Sequence, residues 1–355
     1  MAGEEKNATT LKPVIPYTGN EFSNEVKYEG TKKDLVLPKA THKGLQVTVY
    51  GKFTHTYAGA PVATGNGIAH DLLKDIEIED GVGDLRNVRP QDMRRLMKVL
   101  QGSDSPALYQ HNATELTNPT TGYFTFAGHT SGQVTSFRET FHIPFEAVIA
   151  EASFLSTLMI WNGRKDNVIR FDMAKTLDAI QKPSNVGANP VVYTDVDIKI
   201  RVESIVTALD GGGKRWVQRP QERNHTAAAQ GDYITLNDVR NLASLEILAT
   251  YGADNTPVTF AEAEKIFVDL IGKKNGVTEN VKNKISLADL MFNDLAKKAQ
   301  KDIIPGYARM NFINGSLLDS ALANIYDDLW FRFYHSGLAN YGSGYNFRVL
   351  INEIS

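Results

Sequence analysis

The chain has 355 residues, 42% of them hydrophobic and 22% charged, and it has no cysteine, which excludes disulfide frameworks and thiolate metal sites. Its 38 basic against 41 acidic residues give a formal charge of −3, so no basic face for wrapping nucleic acid through phosphate neutralisation is implied. The length suits two domains of roughly 150 residues each better than one sandwich.

Residues 1–34 read as an N-terminal arm, with Pro13, Pro16, Gly19 and Gly30 among scattered charges and little periodicity, a segment expected either to order only against a partner or to be a disordered tail. Glu4, Glu5, Lys6 and Asn7 stand where a signal peptide needs hydrophobes, and no run of about 18 apolar residues follows anywhere, so synthesis and folding in a cytoplasm is the expectation. From Leu45 the pattern is β. Leu45, Val47 and Val49 alternate with Gln46, Thr48 and Tyr50, and Gly51 breaks the phase before Phe53, which predicts a bulge.

A strand over Leu72–Glu79 turns at Gly81-Val82-Gly83, and Pro90 opens a helix running from Gln91 to Leu100. Residues 102–122, rich in Ser, Thr, Asn, Gly and Pro, predict a long loop. Strands follow at Tyr123–Phe126, Val134–Phe145 and Asn167–Met173. The alternation Val196, Ile198, Ile200, Val202 ends a first domain. The polar, glycine-containing stretch 210–232 reads as an interdomain linker.

The same order of elements then recurs. A strand over Ala263–Ile271 turns at Lys273-Lys274-Asn275-Gly276, and a helix spans Leu287–Ala299. Strands follow at Tyr307–Ile313 and Asp328–Tyr334, and a closing strand holds Phe347, Val349 and Ile351. A duplicated β-rich sandwich with matched helices suits a building block.

Little in the chain signals chemistry. Asp210-Gly-Gly-Gly-Lys214 lacks the Ser/Thr of a phosphate loop, since Arg215 stands there and no helix begins. The eight histidines show neither HxH nor HxxxH spacing. Glu77/Glu79 share a solvated strand face and Asp327/Asp328 point to opposite faces, so neither pair signals acid–base work. In Trp330-Phe331-Arg332-Phe333-Tyr334, strand period sets Phe331 and Phe333 toward a core with Leu329, and Trp330, Arg332 and Tyr334 toward an intersubunit or interdomain contact. No catalytic residue, metal or cofactor is expected.

The segment Leu35-Val36-Leu37-Pro38-Lys39, the strand onward to Tyr57 and Leu72-Leu73-Lys74-Asp75-Ile76-Glu77-Ile78 resemble the first jelly roll of double jelly-roll major capsid proteins. These build the shells of internal-membrane bacteriophages such as tectiviruses and corticoviruses and, more distantly, of adenovirus. Phe141-His142-Ile143-Pro144-Phe145 with its return strand Val168–Met173, the repeat of that layout over Ala308–Tyr334, and Phe347–Ile354 are similar to the family's later strands. The resemblance covers residues 35–355, and helix-rich Ser286–Asp302 is long for a connection in this fold.

It implies an all-β chain of two consecutive eight-stranded jelly rolls with short helices in the connections, at 35–209 and 233–355. It also implies a homotrimeric, pseudo-hexagonal capsomer tiling an icosahedral virion over an internal membrane, beside neighbouring capsomers and penton or minor capsid proteins, with no sequence-specific nucleic-acid binding. Loops at 59–67, 102–122 and 211–231 become candidates for towers or contacts between capsomers. Assembly positions are Lys12, Tyr17 and Phe22 in the arm, Arg215, Trp216 and Arg219 in the linker, and Trp330, Arg332 and Tyr334 on the outward strand face. The rival readings are a duplicated carbohydrate-binding or carbohydrate-cleaving protein, which needs an aromatic platform or carboxylate pair in a groove, and a metal-dependent bicupin, which needs His and Glu ligands at short spacing on a strand.

Overall fold

The computed structural model describes residues 12–13, 25–59, 68–90, 92–93, 108–111, 130–145, 147–149, 152–154, 159, 165–181, 186–206, 215–225, 232–236, 242–252, 255–298, 305–312, 326–335 and 344–354. Over these residues the chain is two β-sandwiches. The first comprises β1 (Lys12–Pro13), β2 (Glu25–Lys27), β3 (Lys33–Val36), β4 (His42–Thr56), β5 (Leu73–Asp80), β6 (Gly83–Val88), β7 (Leu108–His111), β8 (Val134–Pro144), the short hairpin β9 (Ala147–Ile149) and β10 (Ala152–Phe154), β11 (Val168–Met173) and β12 (Val192–Val206). The second comprises β13 (Trp216–His225), β14 (Asp232–Thr235), β15 (Leu242–Tyr251), β16 (Thr256–Pro257), β17 (Ile266–Lys274), β18 (Val277–Ser286), β19 (Tyr307–Asn311), β20 (Asp328–His335) and β21 (Tyr345–Ile354).

Alternation drives these strands. Ile169, Phe171 and Met173 of β11 are buried while the residues between them reach solvent, and Leu329, Phe331 and Phe333 of β20 repeat the pattern. Every residue of β15 from Leu242 to Thr250 is buried, because that strand is covered on both faces. The phase break at Gly51 does mark an irregularity, but the extra residue lies on the partner strand. Between the pairs Thr194–Thr54 and Asp197–Lys52, Asp195 and Val196 stand opposite Phe53 alone. Gly51 has φ +152°, and a Cβ there would run into the carbonyl of Asp197.

The duplication is topological. In the first sandwich one sheet runs β2-β12-β4-β8 and the other β6-β5-β11-β3. In the second they run β13-β21-β15-β19 and β18-β17-β20-β14. Each of these eight strands of one sandwich therefore has a counterpart in the other: β2 matches β13, β6 matches β18 and β12 matches β21. Eight strands in this order, twice, are a double jelly roll. The two sandwiches share a sheet, since β6 pairs in parallel with β13 at Arg86 and Gln218. One continuous nine-stranded sheet therefore crosses the molecule.

Helices serve as connections. Ser286 accepts from the Asp289 amide at 2.9 Å and opens the helix Leu287–Lys298, which buries Leu287, Leu290 and Met291. Thr259 and Glu262 form a capping box on the turn Phe260–Ala263. Among the described residues no helix is long and apolar enough to cross a membrane. Of the predicted helix over Gln91–Leu100 only Asp92 and Met93 are described, both helical, and of the predicted loop 102–122 only Leu108–His111, which is strand β7 rather than loop. The rest of both, and the strand over Tyr123–Phe126, lie outside the described residues.

Candidate assembly surfaces

The structure separates the predicted assembly residues into three groups. In the arm, Lys12 pairs with Val206 in a two-residue ladder along the edge of β12, while Tyr17 and Phe22 lie outside the described residues. Farther along the same edge β2 pairs with β12 through Val26 and Ile200, so this part of the arm orders on its own chain. Glu25 is held there by the Tyr50 hydroxyl and by Lys199 at 3.0 Å. Burial pulls the Glu25 pKa up, but those two partners outweigh it and hold the carboxyl below its ordinary range.

The linker residues lie at the inner junction. Residues 216–225, expected within a linker, form β13, which is hydrogen-bonded to β21 over its whole length. Trp216 is 3% exposed and belongs to the core of the first sandwich, together with Val217, Ala243 and Ile354 from the second. Its indole N–H donates to Asn352 at 3.0 Å. The Arg86 guanidinium lies 3.5 Å from its ring centroid. Among the described residues the guanidinium nitrogens of Arg86 are buried without a hydrogen-bond acceptor, so the faces of Trp216 and Phe145 are what offsets their desolvation. Burial pushes the Arg86 pKa down to about 9, against the pull of nearby Glu246. Arg215 donates to Asp80 at 2.7 and 2.9 Å and to the Gly83 carbonyl at 3.3 Å, clasping the β5–β6 turn. Of these three residues, only Arg219 points into solvent, 3.9 Å from Glu353.

A second set of ions closes the same junction. Arg348 bridges Asp92 at 3.2 Å and Glu222 at 2.7 Å, and Arg89 joins Glu222 at 2.7 Å and Asp75 at 3.3 Å. Burial pushes the Asp75 carboxyl above its usual range, with Arg89 and Arg348 opposing. For Arg348 burial acts downward, but its carboxylate partners prevail and hold its pKa above the ordinary value. A cleft of about 310 Å³ opens beside this network between Lys74 and Asp75 on one sandwich and Thr250 and Asn346 on the other.

Trp330, Arg332 and Tyr334 share the outer face of the sheet β18-β17-β20-β14, half-buried, opposite the core residues Leu329, Phe331 and Phe333. Register sets Trp330 beside Ile271 and Thr235, and Arg332 beside Asp269 and Tyr233. Tyr334 stacks on Phe267 at 5.5 Å, and Tyr233 is 50% exposed, so the face is aromatic. At its centre lies Asp269, fully buried, which sequence reasoning did not single out. It accepts from Arg332, from Tyr334 at 3.5 Å and from the Lys284 amide at 2.6 Å. Lys284 has φ 47°, at a bulge in β18, so the carboxylate holds a strained backbone and orients an arginine at once. The signal for Asp269 was a lone carboxylate directly across the ladder from a lone arginine.

Among the described residues no group of three or more His, Asp or Glu side chains is placed to hold a metal.

No protein-family model matches the chain, and no curated protein does. Solved structures do. A chain in the atomic structure of Sulfolobus Turreted Icosahedral Virus superposes with a TM-score of 0.56 at 11% identity, over 93% of this chain and 88% of its own. The crystal structure of the major capsid protein of that virus gives 0.56 at 13% identity, over 92% and 95%. The major capsid protein P2 of Bacteriophage PM2 gives 0.48 at 11% identity, over 93% and 94%. At these identities the likeness is one of fold: the chain has the double jelly-roll architecture found in viral major capsid proteins.

Proposed function

We propose that the chain is a major capsid protein, a structural subunit that assembles as a homotrimer whose six sandwiches make a pseudo-hexagonal tile of an icosahedral shell. One observation carries this reading. Two jelly rolls of identical strand order are joined in one chain, and 92% of that chain superposes on a viral major capsid protein. Two similar units per chain and three chains give a near-sixfold outline, and a heterologous contact repeated three times closes on itself. A formal charge of −3 lets such tiles pack without strong mutual repulsion. In this reading Trp330, Tyr334 and Tyr233 face a neighbouring subunit. The arm, with Lys12, Tyr17 and Phe22, serves the inner side of the shell near an internal membrane, and penton or minor capsid proteins complete the vertices. The subunit is made in the host cytoplasm and resides in the virion, and it has no catalytic role.

The test is the solution mass by light scattering during size exclusion. One chain is 39.2 kDa, and a trimer three times that, 117.6 kDa. A trimer that persists on dilution is the expected outcome; a stable monomer overturns the reading.

A further inference from the structure

The duplication makes the in-chain junction a template for the junction between chains. Each sandwich ends one sheet with the second strand of its hairpin, β6 in the first and β18 in the second, and begins the other with its first strand, β2 or β13. Inside the chain, the outer edge of β6 is covered in parallel by β13 of the sandwich that follows. Two edges of these same kinds are left without that partner. Among the described residues, β18 pairs only with β17, and β2 pairs only with β12. β18 is a ten-residue strand exposed over most of its length, an open row of backbone donors and acceptors.

We propose that β18 of one copy pairs in parallel with β2 of a second copy, repeating between chains the β6–β13 pairing made within one. The inference rests on the capsomer reading and specifies the contact that closes it. The pairing is short, since β2 spans three residues, as the in-chain one is short, with a single register pair at Arg86 and Gln218. It is head-to-tail, because the edge offered at one end of the chain is filled by a different strand at the other, which is the requirement for a closed ring. Each ring contact then fuses the sheet β18-β17-β20-β14 of one copy with β2-β12-β4-β8 of the next, as one nine-stranded sheet already fuses the two sandwiches of a chain. The bulge at Lys284 and the lysines at 282 and 284 fit this arrangement. They twist and charge the far end of β18, so that only part of the edge is open to a partner and indefinite edge-to-edge stacking is blocked.

Because the chain has no cysteine, engineered pairs report on the contact directly. The full-length double variants Lys27→Cys/Glu279→Cys and Lys27→Cys/Val277→Cys, at the open end of β18, are oxidised mildly and run under denaturing, non-reducing conditions, with Val36→Cys/Glu279→Cys, on the exposed β3 edge, as the control. The expected result is conversion of the 39.2 kDa band into a closed species of three chains for at least one test pair and not for the control. Failure of both test pairs in a sample that light scattering shows to be trimeric, or equal cross-linking of the control, overturns the strand pairing and leaves the capsomer standing. A monomer by light scattering overturns both.

Discussion

His42 is fully buried where the start of β4 meets the end of β12, its ring between the Ser204 hydroxyl and the Pro38 carbonyl. A carbonyl only accepts, so Nε2 carries the proton and Nδ1 accepts from Ser204. Protonation makes both nitrogens donors and places a cation in an apolar site, and burial accordingly drives the pKa down to about 4, opposed by the bond to Pro38. The unfolded chain, with an ordinary histidine pKa, binds the proton more readily than the folded one between about pH 6.5 and pH 4. Stability from this site is therefore complete above about 6.5 and is lost as pH falls through 4, by about 3 kcal/mol in all. Urea unfolding at pH 7 and pH 4.5 is expected to show a larger loss for the natural chain than for His42→Gln. Equal losses would sink the assignment.

Among the elements, the strands with one wet and one dry face were legible. Ile169, Phe171 and Met173, or Leu329, Phe331 and Phe333, announce their period, and so did the tight turns at residues 81–83 and 273–276. β13 was not. Trp216 to Gln218 are buried on both faces while Arg219 and Glu222 to Asn224 are exposed on both, so no period of two survives, and Pro220 adds a strand-breaking signal. Trp216 and Arg215 therefore read as linker residues although they bind the sandwiches together. Asp269 was hidden for a related reason. On the solvent face a carboxylate looks ordinary until the ladder brings Arg332 and the Lys284 amide to it. The outward aromatic face, by contrast, followed from strand period alone. Trp330→Ala removes half-buried surface away from the core, so a monomer stability change of about 1 kcal/mol or less is expected. Phe331→Ala, at a fully buried neighbour, is expected to cost about 3–5 kcal/mol. Dissociation followed by light scattering separates the roles. Trp330→Ala is expected to shift the trimer to higher protein concentration, and a trimer as stable as the natural one would remove this face from assembly.

At the scale of the molecule, the two sandwiches are one folding unit. A nine-stranded sheet runs through both, and four residues of the second sandwich (Trp216, Val217, Ala243 and Ile354) complete the core of the first. The ion pairs Arg215–Asp80 and Arg348–Asp92 cross the same boundary. Inter-domain interfaces within a chain are ordinarily polar and let domains move. This one combines ladder, core and buried charge, so unfolding either sandwich exposes apolar surface belonging to the other and costs the survivor its stability. Calorimetry of the natural chain, held in one oligomeric state, is expected to show a single transition whose van't Hoff and calorimetric enthalpies agree. Trp216→Ala is the decisive variant. It empties a site in the first core, at about 3–5 kcal/mol, and strips the nearer ring from Arg86, leaving that buried cation only the more distant Phe145 face and the pull of Glu246. The loss falls on the first sandwich and on the link together, so the single transition is expected to split, the first sandwich melting ahead of the second. Two resolved transitions already present in the natural chain would show that the shared sheet does not couple them.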